Sequence, residues 1–384
     1  MKNGYNVIQC NGCSFVYADT HVTQDELDIY YKELSKYEDK NIGTGGGFTP
    51  EDKDRLVKTA VFIEEHVPDK NIRIADIGCA NGGLLKELKH LGFQNLVGVD
   101  PSASCVDITI AEVGCEAYQY SIFNIDKNIG KFDLVILSHV LEHILDLPSI
   151  MDRLNELVVD GGLIYVECPD AENYYKIIHA PFQEFNTEHI NHFTEISFEN
   201  LAALHGYNKI FTSNKTLKLP SGEDYHAVYG LFKKAPNPNY TLKKDDIILE
   251  NIEVYIQESD KIFKEIEQEI TDIDVIQQVA LYGIGQFAFK LLTSPALYNR
   301  KLKLFDNNDI NIGKAINGRL VLAANTIAKE FLKEEFTIVI TSLIHEDGIR
   351  KQIQGAFKSS GKFPVIKGFK KLLTKEQSYA HSTF

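Results

Sequence analysis

The chain has 384 residues, of which 44% are hydrophobic and 24% are charged, as in an ordinary globular protein. Its formal net charge of −14 argues against nucleic acid as a main partner, because no dense run of Lys and Arg offsets it. No apolar run reaches the length of a membrane span, and the first residues lack the apolar core of a secretion signal. We therefore expect a cytoplasmic protein of about two domains, with no membrane and no nucleic-acid partner.

Residues 1–19 contain the pair Cys10 and Cys13 between two short aromatic stretches. This Cys-x-x-Cys spacing is typical of one half of a zinc ribbon, but tetrahedral zinc takes four ligands and the chain has no second cysteine pair. Two interpretations stay open: a metal-free hairpin, or a zinc site completed by histidines or by a second chain. The remaining cysteines are scattered and predict free thiols rather than a disulfide framework.

Residues 20–50 combine a predicted amphipathic helix, in which Tyr30, Tyr31 and Tyr37 are close together, with a glycine-rich stretch. A helix on a glycine hinge is suited to closing over an active site. The tyrosines fit equally well a helix that only packs onto the next domain. The sequence does not decide between a lid and a packing helix.

The most informative stretch covers residues 72–83. An apolar run rich in β-branched residues predicts a buried parallel strand, and a turn with several glycines and a helical pattern follow it. Glycines in such a turn let the backbone approach a ligand, and the absence of a Lys-Ser/Thr pair excludes a Walker phosphate loop. Asp100 ends the next predicted strand, where a carboxylate can accept hydrogen bonds from the hydroxyls of a ribose.

With these two strands the chain resembles class I S-adenosylmethionine-dependent methyltransferases. Their first motif, (D/E)xGxGxG, is matched by residues 76–82, with Ala80 in place of the middle glycine. Residues 132–144 and 161–169 match later motifs in order and spacing, which is more specific than one glycine turn. The resemblance implies S-adenosylmethionine as cofactor, with Ser121 and Ile122 beside the adenine and His139 near the methionine part. The full set of implied cofactor-binding residues is Asp76, Gly78, Cys79, Asn81, Gly82, Asp100, Ser121, Ile122, Ser138 and His139.

Predicted strands and helices alternate over residues 51–235, which favours a doubly wound parallel sheet. Two strand-like stretches at the end of this region fit the antiparallel hairpin that completes a seven-stranded methyltransferase sheet. Residues 236–275 start with a proline-rich break and continue as a charged helix, which fits either a linker packed across both domains or a contact in an oligomer.

Residues 276–384 repeat the order of strand, glycine turn and helix, as a smaller Rossmann-like α/β domain would. Gly283, Gly285 and Ala288 form a GxGxxA pattern, and Asp306 ends a later predicted strand. On its own, this pattern is a dinucleotide-binding fingerprint. The alternative is a scaffold that lines the acceptor site without binding NAD.

The segment 184–193 holds the candidate catalytic residues Glu188, His189 and His192 in a predicted loop. A methyltransferase must position the acceptor and remove its proton, and imidazole titrates near neutral pH. His189 is therefore the candidate general base, with Glu188 orienting it or binding an acceptor hydroxyl. The alternative is that these histidines hydrogen-bond the backbone of a buried loop. Earlier in the chain, we expect His143 to pack at a helix start, with Glu142 capping or bracing it.

The chain as a whole is similar to the sugar C-methyltransferases, which combine a zinc-ribbon-like N-terminus, a methyltransferase core and a Rossmann-like domain that does not use NAD. That family carries a YHEHxxYF motif at the loop just described. Glu188 and His189 match it, whereas Asn186 replaces its tyrosine and Thr187 its first histidine. The resemblance implies a sugar or nucleotide-linked sugar as acceptor, and the departure leaves both carbon and oxygen open as the methylated atom.

Two other functions remain open from sequence alone. One is a bifunctional protein whose last domain carries out a nicotinamide-dependent step, which NAD binding through Asp306 would support. The other is a non-enzymatic binding or assembly protein on a methyltransferase fold, against which the intact Asp76, Gly78 and Asp100 argue.

Overall fold

The computed structural model describes residues 5–29, 46–219, 222–235, 240–274, 276–298, 300–358 and 361–373. The three tyrosines of the predicted helix and the first part of the glycine stretch therefore lie outside the described residues, whereas Gln24–Ile29 is described as a helix. No helix in the described ranges is long and apolar enough to cross a membrane. The chain divides into two units, Met1–Asn173 with Thr187–Asn251 and Tyr174–Asn186 with Ile252–Phe384.

The first unit contains ten strands and six α-helices within its described residues, joined by short turns and single 3₁₀ turns. In chain order they are β1 (Asn6–Gln9), β2 (Val16–Asp19), α1 (Gln24–Ile29), α2 (Pro50–His66), β3 (Arg73–Ile77), α3 (Gly83–His90), β4 (Asn95–Asp100), α4 (Ala103–Val113), β5 (Glu116–Gln119), β6 (Phe132–Ser138), α5 (Leu147–Leu157), β7 (Val158–Pro169), β8 (Asn191–His192), α6 (Glu195–Leu204), β9 (Tyr207–Lys218) and β10 (Asp224–Lys234).

Seven of these strands form one mixed sheet in the order β5-β4-β3-β6-β7-β10-β9. The strands from β5 to β7 are parallel, while β10 is antiparallel to both β7 and β9. The predicted seven-stranded methyltransferase sheet and its closing antiparallel hairpin are thus confirmed. The strand order reverses between β3 and β6, so the carboxyl ends of these two strands flank the crevice where such sheets bind ligands.

Side chains on alternate residues of these strands form two separate cores, because successive residues of a strand point to opposite faces. Ala75 and Ile77 of β3 belong to one core, and Ile74 belongs to the other. Helices cover both faces, which explains why the central strands are apolar throughout rather than alternating.

Local sequence signals set the helix starts around this sheet. The Thr49 side chain accepts a hydrogen bond from the Asp52 amide and Pro50 opens α2, while Ser102 accepts from the Cys105 amide at the start of α4. α4 ends at Gly114, which is in the left-handed conformation (φ 66°).

A second, three-stranded sheet in the first unit has the order β1-β2-β8. The hairpin of β1 and β2 lies at the start of the chain, whereas β8 belongs to the predicted catalytic loop. Ala18, Leu27 and Ile190 form a small apolar core beneath it. Sequence analysis found the hairpin but not its third strand, because a strand of two residues has no periodicity to detect.

The second unit contains a six-stranded sheet with the order β13-β14-β12-β11-β15-β16, in which neighbours are parallel except for the pair β13 and β14. A long helix precedes this sheet and begins just before the boundary of the unit. Its elements are α7 (Ile248–Thr271), β11 (Gln278–Tyr282), α8 (Gln286–Leu292), α9 (Pro295–Tyr298), β12 (Leu302–Asp306), β13 (Ala315–Ile316), β14 (Arg319–Ala323), α10 (Ile327–Lys333), β15 (Phe336–Ile340), α11 (Glu346–Phe357) and β16 (Ile366–Lys367).

Arg300 ties down the carboxyl end of α7. Its guanidinium donates hydrogen bonds to the carbonyl oxygens of Ile270 at 3.1 Å, Ile273 at 2.6 Å and Asp274 at 3.0 Å, and its Nε donates to Ala296 at 3.1 Å. The last carbonyls of a helix have no partner within the helix, so a planar side chain with several donors can satisfy several of them together.

We expect Arg300→Ala to lower the free energy of unfolding of the second unit by about 2–3 kcal/mol, because the carbonyls that it caps lose a charged donor. Hydrogen exchange across residues 265–300 measures this locally. Arg319→Ala is the control, since Arg319 donates to the nearby Asn317 carbonyl at only 3.5 Å. Equal protection of residues 265–300 in the Arg300 variant and the wild type would contradict the capping role.

Candidate functional site

The turn after β3 folds back onto the neighbouring strand β4. The amides of Gly78 and Cys79 donate to the Val99 carbonyl at 2.7 and 3.1 Å. Gly78 is in the left-handed region (φ +75°), and a Cβ there would lie 2.7 Å from Val140 Cγ2. The position therefore requires glycine for both its backbone conformation and its close contact with the segment after β6.

Ala80, which stands where the resembling family has its middle glycine, also adopts a left-handed backbone (φ +46°). This conformation costs an L-residue roughly 1–2 kcal/mol, so neighbouring contacts must hold it. The Ala80 amide donates to Asp100 Oδ2 at 2.9 Å, and the Ser102 amide donates to Asp100 Oδ1 at 2.9 Å. The predicted turn and the predicted ribose carboxylate are thus in direct contact, and the remaining acceptor positions of the Asp100 carboxylate fit the hydroxyls of a ribose.

The other predicted cofactor residues lie at the ends of the same strands. Asp76 is buried in β3, and burial next to Asp100 raises its pKa to about 7, against the opposing charge of Arg55. The Cys79 and Asn81 side chains are buried, so any contact of Cys79 with a cofactor runs through its backbone. The remaining predicted residues open the segments that follow their strands: Gly82 caps α3, Ser121 and Ile122 begin the turn after β5, and Ser138 ends β6.

His139 follows β6 and is held by two buried carboxylates. Its Nδ1 lies 3.3 Å from Glu142 Oε1 and its Nε2 lies 3.2 Å from Glu167 Oε1. Burial alone would lower the pKa of His139, but its hydrogen bonds to the Glu142 and Glu167 carboxylates outweigh burial and raise the pKa. Both ring nitrogens can donate to carboxylates only in the protonated imidazole, so this environment favours the imidazolium form of His139. Its backbone is left-handed (φ +57°), which these contacts stabilise.

Glu167 is the centre of this buried network. Lys215 of β9 donates to Glu167 Oε2 at 2.7 Å, and the Tyr165 hydroxyl donates to the same oxygen at 2.5 Å. Burial would raise the pKa of Glu167, but Lys215 and His139 hold it well below its usual range. Lys215 also contacts Thr59 of α2 at 3.1 Å. Sequence analysis missed this network, because Lys215 and Glu167 are 48 residues apart and lie on different strands.

The predicted catalytic loop is pinned to the turn after β6. The Ile190 amide donates to the Glu142 carbonyl at 2.7 Å, and the Asn191 side-chain amide donates to the carbonyls of Leu141 and Ile144 at 3.0 and 2.6 Å. These bonds set where the neighbouring His189 lies.

The N-terminal hairpin holds the same loop from its other side. Val16 pairs with His192 and Tyr17 with Asn191, and the Ala18 amide donates to the Ile190 carbonyl at 2.8 Å. His192 is therefore a buried residue of β8, away from the donor atoms that meet at His189.

Three side chains meet where the loop contacts the turn: donor atoms of Glu142, His143 and His189 all lie within 4.8 Å of one another. Glu142 is almost fully buried, whereas His143 and His189 are partly exposed. His143 Nδ1 lies 2.8 Å from the Glu188 carbonyl oxygen. Glu188 thus contributes its backbone to this group.

The charges within this group follow from burial and proximity. Burial would raise the pKa of Glu142, but His143 and His139 outweigh it and lower the pKa to about 2. Burial lowers the pKa of His143. The sequence predicted a contact between Glu142 and His143 but not their cluster with His189. Only the fold reveals this cluster, because Glu188, beside His189, lies 45 residues after His143.

Cys10 and Cys13 lie in the turn of the first hairpin. All six cysteines of the chain are described, and all are free thiols. Among the described residues, neither thiol belongs to a group of three possible metal ligands. These two sulfurs alone do not fit a tetrahedral zinc ion, which takes four ligands. The predicted zinc site stays a prediction that needs ligands from elsewhere.

In the second unit, Asp306 braces the turns around it. Its Oδ2 accepts hydrogen bonds from the Ile284 amide at 2.8 Å and from Asn311 Nδ2 at 2.9 Å, and its Oδ1 accepts from the Asn308 amide at 2.9 Å. Gly283 has a left-handed backbone (φ +94°) that packs against Ser342. The two backbone bonds have the same form as those that Asp100 accepts from Ala80 and Ser102, whereas the bond from Asn311 occupies one further acceptor position of Asp306.

We expect Lys215→Met to destabilise the first unit by about 3–5 kcal/mol, because it leaves the Glu167 carboxylate buried without its closest cation. The control is Lys127→Met, since Lys127 and its partner Glu156 are exposed and such pairs contribute about 0–1 kcal/mol. Urea unfolding of both variants measures the difference. Recovery of stability in the double variant Lys215→Met with Glu167→Gln would confirm that the unpaired charge is the cause, and equal losses in both single variants would contradict it.

Comparison with known proteins identifies the first unit. Residues 50–210, less than half of the chain, match a family model described as a methyltransferase domain. The rat (Rattus norvegicus) mitochondrial ubiquinone biosynthesis O-methyltransferase is 25% identical over 141 residues, which cover 34% of this chain and 41% of that protein. The corresponding enzyme of Bradyrhizobium sp. (strain ORS 278) is 35% identical over 99 residues, 25% of this chain and 39% of that protein.

The chain thus spans about two fifths of the length of these two curated relatives. Among solved structures, the N-methyltransferase NodS from Bradyrhizobium japonicum with bound S-adenosyl-L-homocysteine aligns with a TM-score of 0.41 at 12% identity, over 53% of this chain and 97% of its own. The family match covers the turn after β3, Asp100 and the loop with His189. Residues 50–210 therefore match a methyltransferase domain.

Proposed function

We propose that the whole chain transfers a methyl group from S-adenosylmethionine to a small polar acceptor, with a sugar or nucleotide-linked sugar as the first candidate. The observation that carries this proposal is the cluster of Glu142, His143 and His189. Two of its members, Glu142 and His143, follow β6, the strand next to β3 in the sheet, and His189 comes from the loop before β8. A protein that only bound the cofactor would have no need for titratable side chains at this crevice.

Oxygen is the favoured site of methylation. Two of the curated relatives are named O-methyltransferases. The loop also departs from the motif of the sugar C-methyltransferases, since Asn186 and Thr187 replace its tyrosine and first histidine. Removing a proton from carbon demands more of the active site than removing one from a hydroxyl, so these losses weaken C-methylation first.

The residues of the chain divide the work as follows. The bound cofactor supplies an electrophilic methyl group. Asp100 and the turn at Ala80 hold the nucleoside part of the cofactor. The imidazole of His189 takes the proton of the acceptor hydroxyl, and the Glu142 carboxylate beside it favours the imidazolium that results. His139 is less suited to this task, because its contacts with two carboxylates raise its pKa and favour the protonated imidazole.

The second unit is proposed as a Rossmann-like scaffold for the acceptor rather than a nicotinamide site, because Asp306 is engaged by its own turns. The same proposal places domain limits at residues 19, 50, 235 and 275. It also gives residues 20–50 the role of a lid and the protein a cytoplasmic location. An oligomer contact through α7 stays a prediction of its charge pattern.

Calorimetric titration with S-adenosylhomocysteine, and with NAD and NADH in parallel, tests cofactor choice. We expect micromolar binding of S-adenosylhomocysteine and none of NAD or NADH. Asp100→Asn should weaken the first interaction by roughly 10–100-fold, because the ribose loses a charged acceptor. Asp306→Asn is the matched control and should leave it unchanged. NAD binding that is lost in Asp306→Asn would overturn the scaffold role of the second unit.

An acceptor screen with nucleotide sugars and radiolabelled S-adenosylmethionine tests the reaction. We expect His189→Asn to lower kcat by roughly 10²–10⁴-fold without changing the affinity for S-adenosylhomocysteine. His90→Asn, which changes an exposed histidine beside Glu87, is the control. Unchanged kcat in His189→Asn would exclude it as the base.

A further inference from the structure

We propose that Glu142, His143 and His189 bind a divalent transition-metal ion that holds an acceptor with two neighbouring oxygen atoms. This inference rests on the proposed methyl transfer and names the substrate class for that same site. Two imidazoles and one carboxylate are a ligand set for Zn²⁺, Co²⁺ or Mn²⁺, whereas Mg²⁺ and Ca²⁺ prefer oxygen ligands alone.

The distances between the three donors are close to those that a metal requires. Zn²⁺ bonds to nitrogen and oxygen at about 2.0–2.2 Å, so tetrahedral ligands lie about 3.4 Å apart. His143 Nε2 and Glu142 Oε1 are 3.8 Å apart, and all three donor atoms fall within 4.8 Å of one another. Small side-chain rotations suffice to bring them onto one ion.

The groups behind the ligands orient them as they do in metal sites. His143 presents Nε2 to Glu142 because its Nδ1 hydrogen-bonds the Glu188 carbonyl at 2.8 Å. Glu142 in turn accepts from Cys168 Sγ at 3.2 Å and contacts His139 at 3.3 Å. A ligand histidine anchored through its other nitrogen, and a ligand carboxylate that is itself hydrogen-bonded, are the usual outer contacts of a bound metal.

The backbone also fixes the two halves of the site against each other. Glu142 and His143 follow β6, while His189 lies in the loop that the Ile190 amide ties to the Glu142 carbonyl. The ligands therefore need no rearrangement of the fold to meet. His143 and His189 are partly exposed, whereas Glu142 is almost fully buried, so an ion would enter from the side of the two imidazoles.

Three protein ligands leave coordination positions open for a substrate. An acceptor with adjacent oxygens, such as a vicinal diol, a catechol or a hydroxyketone, fills two of them and is thereby oriented. With an ion bound, His189 is a ligand, and the ion rather than the imidazole promotes loss of the proton from the acceptor hydroxyl. The acceptor O–H bond breaks with its electron pair left on oxygen, because the ion lowers the pKa of the hydroxyl, and the proton passes to water.

The first test is titration of the EDTA-treated full chain with Co²⁺, followed by visible absorption and calorimetry. It uses a Cys10→Ser, Cys13→Ser background, because those thiols would bind Co²⁺ themselves. We expect about one ion per chain, and a loss of affinity of roughly 100-fold or more in Glu142→Gln and in His189→Asn. His90→Asn should match the parent. No bound Co²⁺, or parent affinity in both ligand variants, would overturn the proposal.

Binding of S-adenosylhomocysteine to each variant shows that it is folded and keeps the two proposals separate. If the parent binds S-adenosylhomocysteine but no metal, the metal site falls and the imidazole base stands. If it binds Co²⁺ but no S-adenosylhomocysteine, the proposed methyl transfer falls and the metal site stands.

The second test concerns the substrate class. Catechol should change the Co²⁺ absorption of the loaded chain, and phenol, which has a single hydroxyl, should change it much less. Equal effects of the two would contradict binding through two oxygens. Treatment with EDTA should also abolish methyl transfer to a diol acceptor, and Zn²⁺ or Co²⁺ should restore it; full activity without an ion would contradict the role of the metal.

Discussion

The site depends on one buried carboxylate, Glu167. Burying a charged group costs free energy of desolvation. Lys215, His139 and the Tyr165 hydroxyl surround Glu167 and offset this cost. These partners come from two strands, β7 and β9, and from the residue that follows a third, β6. Satisfying the charge of Glu167 therefore ties the carboxyl ends of β6 and β7 to β9.

The same network gives His139 and His189 different surroundings, although both are histidines predicted at the site. His139 lies between two carboxylates, which raise its pKa and orient its ring. His189 shares Glu142 with His143 and is partly exposed. The two histidines thus differ in their neighbours and not in residue type: two carboxylates hold His139, whereas His189 is available for the proposed proton transfer or metal binding.

The sequence predicted what depends on local pattern. β3, its glycine turn, Asp100 and the closing hairpin of the sheet were all visible as periodicity, glycine spacing or strand ends. The pairing of β8 with the first hairpin, and the contact of His189 with Glu142 and His143, were not visible. Both features depend on contacts between residues that are far apart in sequence, and local sequence patterns carry no information about such contacts.

Departures from pattern were informative in a different way. Ala80 breaks the glycine motif, yet it keeps the left-handed backbone that glycine would adopt, because Asp100 holds its amide. Asn186 and Thr187 break the motif of the sugar enzymes at the loop that carries His189. The neighbour Asp100 compensates the first substitution, whereas the two in the loop are the reason for proposing oxygen rather than carbon as the methylated atom.

The pairing of the first hairpin with β8 has a consequence for how the protein forms during synthesis. Val16 leaves the ribosome long before His192, its partner in the small sheet. The hairpin cannot pair with β8 until the strands between them have been synthesised. Closing so long a loop also has an entropic cost that increases with the length of the loop. The loop that carries His189 is thus completed late, by a segment that was translated first, so a nascent chain has its cofactor turn before it has a finished reaction site.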